Sequence, residues 1–238
     1  MTSFSVVKPS YLENTSNIIL NGNLTVNGTV SSYVDTSLNS LGENTFFTFG
    51  NLSSSETNKW IGGVLAPNGK IYGIPFNATS VLIIDPVTNT ADTTTISGLT
   101  GTLKWYRGVL APNGKIYAIP NNSTSVLIID PVTNTADTTT ISGLTGTNKW
   151  SSGVLSPNGK IYGIPYDITS VLIIDPLTNT ANTSTISGIT GLGKYQGGVL
   201  ASNGKIYCIP FNNTSVLVIN TGLPKLPSWM LKPYFNKF

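Results

Sequence analysis

Four tandem copies of one 45-residue unit, each punctuated into four short strands, predict an all-β fold, a β-propeller of four four-stranded blades. Three observations carry this. The segment GVLAPNGKIYGIP begins at Gly63, and near copies begin at Gly108, Gly153 and Gly198, 45 residues apart each time. Within each copy, turn-forming residues separate apolar, β-branched runs of strand length. No stretch shows helical periodicity, and four strands in about 45 residues is the size of one propeller blade.

The elements of the first unit follow in order. The first strand is expected around Gly63–Ala66. Pro67-Asn68-Gly69 supplies a tight turn, with Pro presetting φ and Asn-Gly tolerating positive φ. The second strand is Lys70–Pro75. The third, Val81–Ile84, is a continuous apolar run suited to burial on both faces. Asp85-Pro86 opens the next turn. A polar, β-branched fourth strand is expected over Thr93–Ser97.

The last copy runs to Val216-Leu217-Val218-Ile219 without a Thr-rich strand of its own, while Asn44-Thr-Phe-Phe-Thr-Phe-Gly50 precedes the first copy. An N-terminal strand over Thr45–Phe49 would complete the last blade and close the ring, because closure hides sheet edges. A half-ring that dimerises into a larger one is the alternative.

Three regions result: an N-terminal extended β arm (1–43), the four-repeat propeller (44–220) and a Pro/aromatic tail (221–238). In the arm, Leu24, Val26 and Val30 alternate between Asn-Gly turns; it either wraps sister chains, making a homo-oligomer, or packs on its own propeller. In the tail, prolines exclude a regular helix or strand. Trp229, Met230, Leu231, Tyr234 and Phe235 concentrate apolar area there, either against the propeller or as a partner-docking peptide.

Composition narrows the chemistry. Charged residues are 10% of the chain and the net charge is +3, without a basic cluster, so no nucleic-acid partner is expected. No membrane span and no signal peptide are evident, which points to a cytoplasmic location unless the chain belongs to a virion. There is no histidine, so His-based catalysis and most transition-metal sites are absent and stability should vary little between about pH 5.5 and 8. Cys208 is the only cysteine and stands where other copies have Gly73, Ala118 and Gly163, a small buried position. Asp85, Asp130 and Asp175 recur as turn corners, as do Asp92 and Asp137, with Asn182 in the third copy. No catalytic, cofactor or metal residue is therefore expected, and the chain reads as a non-enzyme.

One aromatic marks each blade junction: Trp60, Trp105, Trp150 and Tyr195, each preceded by lysine. An aromatic repeated in every unit fills the core between blades; exposed, the same ring could stack on sugars. The copies are otherwise so alike that variations such as Gly197, Ser202 and Cys208 read as neutral.

The unit GVLAPNGKIYGIP…TSVLIIDPVTNTADTTTISG resembles the YVTN group of propeller repeats over residues 44–220. It has Ile-Tyr-Gly-Ile-Pro in place of the Tyr-Val-Thr-Asn tetrapeptide and fewer copies than that group usually closes with. Similar tandem units occur in structural proteins of large DNA viruses. That resemblance implies a structural or decorating component of a virion, at the capsid surface or a vertex, with other structural proteins of the assembly as partners. The alternative is a ligand-binding propeller for a glycan or protein, such as a receptor-attachment module.

Overall fold

In the computed structural model, the residues described are 46–52 and 56–222. The chain divides into two compact units, Met1–Phe47 and Thr48–Phe238, and the second holds every strand described.

Blade one comprises β1 (Trp60–Leu65), β2 (Ile71–Pro75), β3 (Leu82–Asp85) and β4 (Thr90–Asp92), paired antiparallel in chain order. Blade two repeats this with β5 (Trp105–Leu110), β6 (Ile116–Pro120), β7 (Leu127–Asp130) and β8 (Thr135–Asp137). Blade three has β9 (Trp150–Leu155), β10 (Ile161–Pro165), β11 (Leu172–Asp175) and β12 (Thr180–Asn182). Blade four has three strands among the described residues, β13 (Tyr195–Leu200), β14 (Lys205–Pro210) and β15 (Leu217–Asn220). The all-β propeller fold expected from the repeats is the fold observed.

Local chemistry explains the turns. Gly69 takes φ 79°, and Asn68 Oδ1 accepts the Lys70 N–H at 3.0 Å, closing the first hairpin. At the next corner, Asp85 Oδ1 accepts the Val87 N–H at 2.9 Å. That bond, together with Lys70 3.4 Å from the carboxylate, holds Asp85 below the usual carboxylate range.

Two expectations need correction. The fourth strand is not Thr93–Ser97 but the three residues Thr90–Asp92. The reason is Asp92, whose Oδ1 accepts the Thr94 N–H at 2.7 Å and the Thr95 N–H at 3.2 Å, bending the chain where the β-branched run would have extended it. The bent segment returns beside blade one, where Val81 N–H donates to the Ile96 carbonyl at 2.9 Å.

The expected closing strand also differs. Thr45 lies outside the described residues, and 46–52 carry no strand. Gly50, at φ +81°, leaves the extended conformation, and a Cβ built on it would stand 3.0 Å from Ala91 in β4. The Leu52 carbonyl accepts Lys59 Nζ. Gly50 and Leu52 thus lie against blade one and the residues leading into it.

Consecutive blades pack through their first strands: β1 lies beside β5, β5 beside β9, and β9 beside β13. No comparable junction joins β13 to β1 among the described residues. Each junction buries an apolar cluster shared by two blades. In the first, Tyr72 and Ile74 of blade one meet Trp105, Ile116 and Ile129 of blade two. Glycine within the first strands of blades two to four permits the close approach: a Cβ on Gly108 would stand 2.8 Å from Ile74 Cδ1, and one on Gly198 would stand 2.8 Å from Ile164 Cδ1.

Polar clips finish each junction. Tyr72 donates its hydroxyl to Asn134 Oδ1 of blade two at 2.6 Å, and Asn68 Nδ2 donates to the Pro131 carbonyl at 2.9 Å. Tyr117 and Asn113 repeat the pair on Asn179 and Pro176 of blade three.

Candidate functional site

The first strand of every blade begins with an irregularity. In blade one the pairing jumps from Trp60↔Pro75 to Gly63↔Gly73, leaving Ile61 and Gly62 in a bulge. Blade two places Tyr106 and Arg107 in the same bulge, and blade four Gln196 and Gly197. In blade three the shift falls at Ser151. A bulge frees side chains from the sheet's alternation and re-aims them, and bulges recur beside functional sites.

These bulges carry positions at which the copies differ. Ile61, Tyr106, Ser151 and Gln196 are equivalent, as are Gly62, Arg107, Ser152 and Gly197. A third diverged set follows the second strand: Phe76, Asn121, Tyr166 and Phe211.

The diverged residues converge on a pocket of about 180 Å³ lined by Phe76, Tyr106, Asn121, Ser151, Tyr166 and Gln196, with Leu103, Asn148 and Trp150 at its borders. All four blades contribute. Gln196 Nε2 donates to the Tyr106 hydroxyl at 3.2 Å, so blades two and four meet across the mouth. Phe76 and Tyr106 pack edge to face with ring centroids 5.7 Å apart. Ser151 Oγ donates to the Tyr195 carbonyl at 2.9 Å, tying the bulges of blades three and four. The lining holds aromatic faces, amides and hydroxyls, and no charged side chain.

Arg107 has φ 105°. Its equivalents Gly62 and Gly197 take φ 72° and 91°, conformations that glycine adopts freely and a branched-chain residue does not. Arg107 is exposed, and its side chain lies next to Gly62, at whose missing Cβ the Arg107 Cγ would be 3.4 Å away. A non-glycine residue held in this region points to a role for its side chain.

The junction aromatics lie inside. Trp105, Trp150 and Tyr195 are buried and Trp60 is half-buried. Trp105 Nε1 donates to the Ser125 carbonyl at 2.7 Å and Trp150 Nε1 to the Ser170 carbonyl at 2.9 Å, each within its own blade. Lys104, Lys149 and Lys194 beside them are buried as well. Lys149 donates to the carbonyls of Asn121 at 2.8 Å, Ser123 at 2.8 Å and Gly146 at 2.9 Å, a cage that joins blades two and three. Burial pushes Lys149 down to about 8, and three carbonyl acceptors offset part of the cost of holding its charge there. Lys104 makes the equivalent cage with Phe76, Ala78 and Gly101.

Cys208 is fully buried, and burial pushes its thiol up to about 12, which removes thiolate reactivity. Asp85, Asp130 and Asp175 sit at separate turns, each beside its own lysine. Trp229, Met230, Leu231, Tyr234 and Phe235 lie outside the described residues, as do the arm residues 1–43.

No known family matches the sequence, and no curated protein matches it. Solved structures do match the fold. Virginiamycin B lyase from Staphylococcus aureus aligns with TM-score 0.54 at 12% identity, over 71% of this chain and 58% of that one. The extracellular domain of BT4673 from B. thetaiotaomicron aligns with TM-score 0.52 at 15% identity, over 69% and 21%. An auxiliary nutrient binding protein from Bacteroides ovatus aligns with TM-score 0.50 at 18% identity, over 71% and 40%. The chain therefore spans between about a fifth and just over half the length of these structures. At such identities the likeness is one of fold: the chain is a β-propeller-type repeat protein. The described residues contain no helix long and apolar enough to cross a membrane.

Proposed function

We propose that this chain is a non-catalytic ligand-binding propeller module whose diverged pocket takes a neutral saccharide unit. The observation that carries the reading is the coincidence of two patterns. Junctions and turns are copied almost unchanged through the repeats, whereas the bulge positions 61, 106, 151 and 196 and the positions 76, 121, 166 and 211 differ, and Phe76, Tyr106, Asn121, Ser151, Tyr166 and Gln196 of these sets gather at one mouth. Structural duplication has no need of that divergence; recognition does.

The lining favours the ligand class. Phe76, Tyr106 and Tyr166 offer apolar ring faces, and Asn121, Asn148 and Gln196 offer amide donors and acceptors. Sugars present apolar C–H faces edged by hydroxyls, which suits that combination, and an uncharged lining suits a neutral ligand. Among the similar folds, one is described as a nutrient binding protein and one as an extracellular domain, which supports a binding role. Two others are described as a lyase and a 6-phosphogluconolactonase. The lyase was crystallised in an inactive form with a histidine replaced by alanine, and this chain contains no histidine, which supports the non-catalytic reading.

The virion reading rests on the viral resemblance and on the segments 1–43 and 221–238, and the pocket favours binding over it. The test is an array of neutral oligosaccharides of glucose, mannose and galactose probed with the full chain. Retention of one class, lost on Tyr106→Ala or Tyr166→Ala, is expected; an array without signal, or one indifferent to both changes, overturns the reading.

A further inference from the structure

Among the described residues, the two ends of the blade series lack the polar outer face of a capped repeat array. Repeat proteins cover their terminal units with a polar outer face, because an uncapped end leaves the inter-repeat surface in water. Here the outer side of blade four keeps the residues of an interior junction. Ile209 is 49% exposed, whereas its equivalents Ile74, Ile119 and Ile164 are fully buried under the next blade. Val216 is 55% exposed, and Val81, Val126 and Val171 are at 0%. Val218, two residues on from Val216, is 44% exposed. An apolar surface of this kind on a soluble fold marks an interface.

The outer side of blade one is its complement. In blades two, three and four, the glycine of the first strand receives an isoleucine from the blade before: Ile74 at Gly108, Ile119 at Gly153, Ile164 at Gly198. Among the described residues Gly63 receives none, and a Cβ there would meet Ile71 and the Tyr72 carbonyl of its own blade. Leu65 beside it is 62% exposed. One end bears the projecting isoleucine and the other the vacant glycine.

The polar clip is split in the same way. Asn203 Nδ2 donates to the Tyr207 hydroxyl at 2.8 Å, as Asn68 does to Tyr72 and Asn113 to Tyr117. In those blades the tyrosine goes on to donate to an asparagine of the next blade, Asn134 or Asn179, whose φ is 51° or 52°. Asn89 of blade one already holds φ 52°.

We propose that two copies of this chain join head to tail, blade four of each seated on blade one of the other, in a shared eight-bladed ring. Ile209 of each copy enters the place opposite Gly63 of its partner, and Tyr207 donates to the partner copy's Asn89. The occupant is a second copy because this junction is already made three times within the chain, between faces of nearly the same sequence. A head-to-tail contact made twice closes under two-fold symmetry, and eight blades lie within the usual size range of propellers.

The test is the absolute mass of the full chain by light scattering, alone and with two substitutions. The wild type is expected at twice 25.2 kDa. Gly63→Val and Ile209→Asp are each expected to return the mass of one chain with unchanged β-sheet circular dichroism. An equimolar mixture of the two variants is expected to regain the two-chain mass, because one junction then pairs an intact Ile209 with an intact Gly63; a misfolded variant would not rescue its partner. A single-chain wild type, as when residues 1–45 or 223–238 cover these faces, overturns the proposal. So does a mass above two chains, or a dimer indifferent to both substitutions.

Discussion

Ile119 of blade two reaches so far into blade three that a Cβ built on Gly153 would lie 2.7 Å from its Cδ1. The two residues form a knob and a socket, and the same pair recurs at every junction inside the chain. Real Cβ atoms do not approach so closely, so the absence of a side chain at Gly153 is a requirement of blade packing.

Filling the socket should therefore separate interior from terminal positions. Gly153→Val forces Ile119 and Val109 aside and should cost about 1–3 kcal/mol, the range for overpacking a dense core. Gly63→Val, facing no preceding blade in the chain, should cost an isolated chain well under that. Urea unfolding of both variants at dilution checks the contrast.

Arg107 offers a test of strain. At φ 105° it occupies a conformation that blades one and four assign to glycine. Arg107→Gly should stabilise the fold by roughly 1 kcal/mol, by relieving the left-handed penalty. If the side chain also serves the mouth, the same variant should bind the array ligand less tightly. A higher denaturation midpoint paired with weaker binding is the expected result.

Acid sensitivity follows from two carboxylates. The Thr95 hydroxyl, with the Thr94 and Thr95 N–H groups, lowers Asp92 from 3.8 to about 2, and the Thr140 hydroxyl leads the same arrangement in depressing Asp137. A carboxyl whose folded pKa is depressed contributes stability that is complete above its unfolded value. That stability is lost as pH falls through the folded value, so melting temperature should decline from about pH 4 toward 2. Blade three has Asn182 here, accepting the Ser184 N–H at 3.0 Å without a charge. The double change Asp92→Asn and Asp137→Asn should flatten the acid limb.

Between about pH 5.5 and 7 no side chain of ordinary pKa titrates, since histidine is absent, and melting temperature should be level. The level region ends earlier than composition alone implies. Lys149 releases its proton at about 8, while the unfolded chain keeps its own to 10.5. The unfolded state then binds more protons, so stability should rise with pH across that window. Differential scanning calorimetry of wild type and Lys149→Met across pH 7 to 10 distinguishes this contribution.

Much of the fold was legible because local chemistry and repetition agree. Pro67-Asn68-Gly69 and Asp85-Pro86 mark turns whatever surrounds them, and four copies of the same marks define blades. The fourth strand was misplaced because a Thr-rich run has strand propensity, yet the Asp92 carboxylate captures the amides two and three residues on. The closing strand was expected because residues 44–50 stand where the last copy lacks its Thr-rich strand, whereas 46–52 carry no strand and Gly50, at φ +81°, lies beside Ala91 of blade one.

Near-identity of the copies implies that single variations such as Gly197, Ser202 and Cys208 are neutral. The proposed mouth shows in the sequence only as columns that differ, among them Tyr106, Ser151 and Gln196 directly after the lysine–aromatic pair. What the columns do not reveal is that bulges turn them toward one mouth. The lysine cages were hidden for a similar reason: carbonyls from the preceding blade accept Lys104 and Lys149, and sequence does not show where a loop carbonyl points.

The proposed seat of recognition is the diverged mouth of a duplicated scaffold. Isothermal titration of the full chain with the neutral oligosaccharide selected on the array, repeated with the Tyr106→Ala, Tyr166→Ala double variant, tests it most directly. The account predicts saturable binding that weakens by roughly tenfold or more, about 1.4 kcal/mol, in the double variant while its melting temperature is preserved. Binding of equal affinity in both proteins would contradict it and move the ligand away from the mouth.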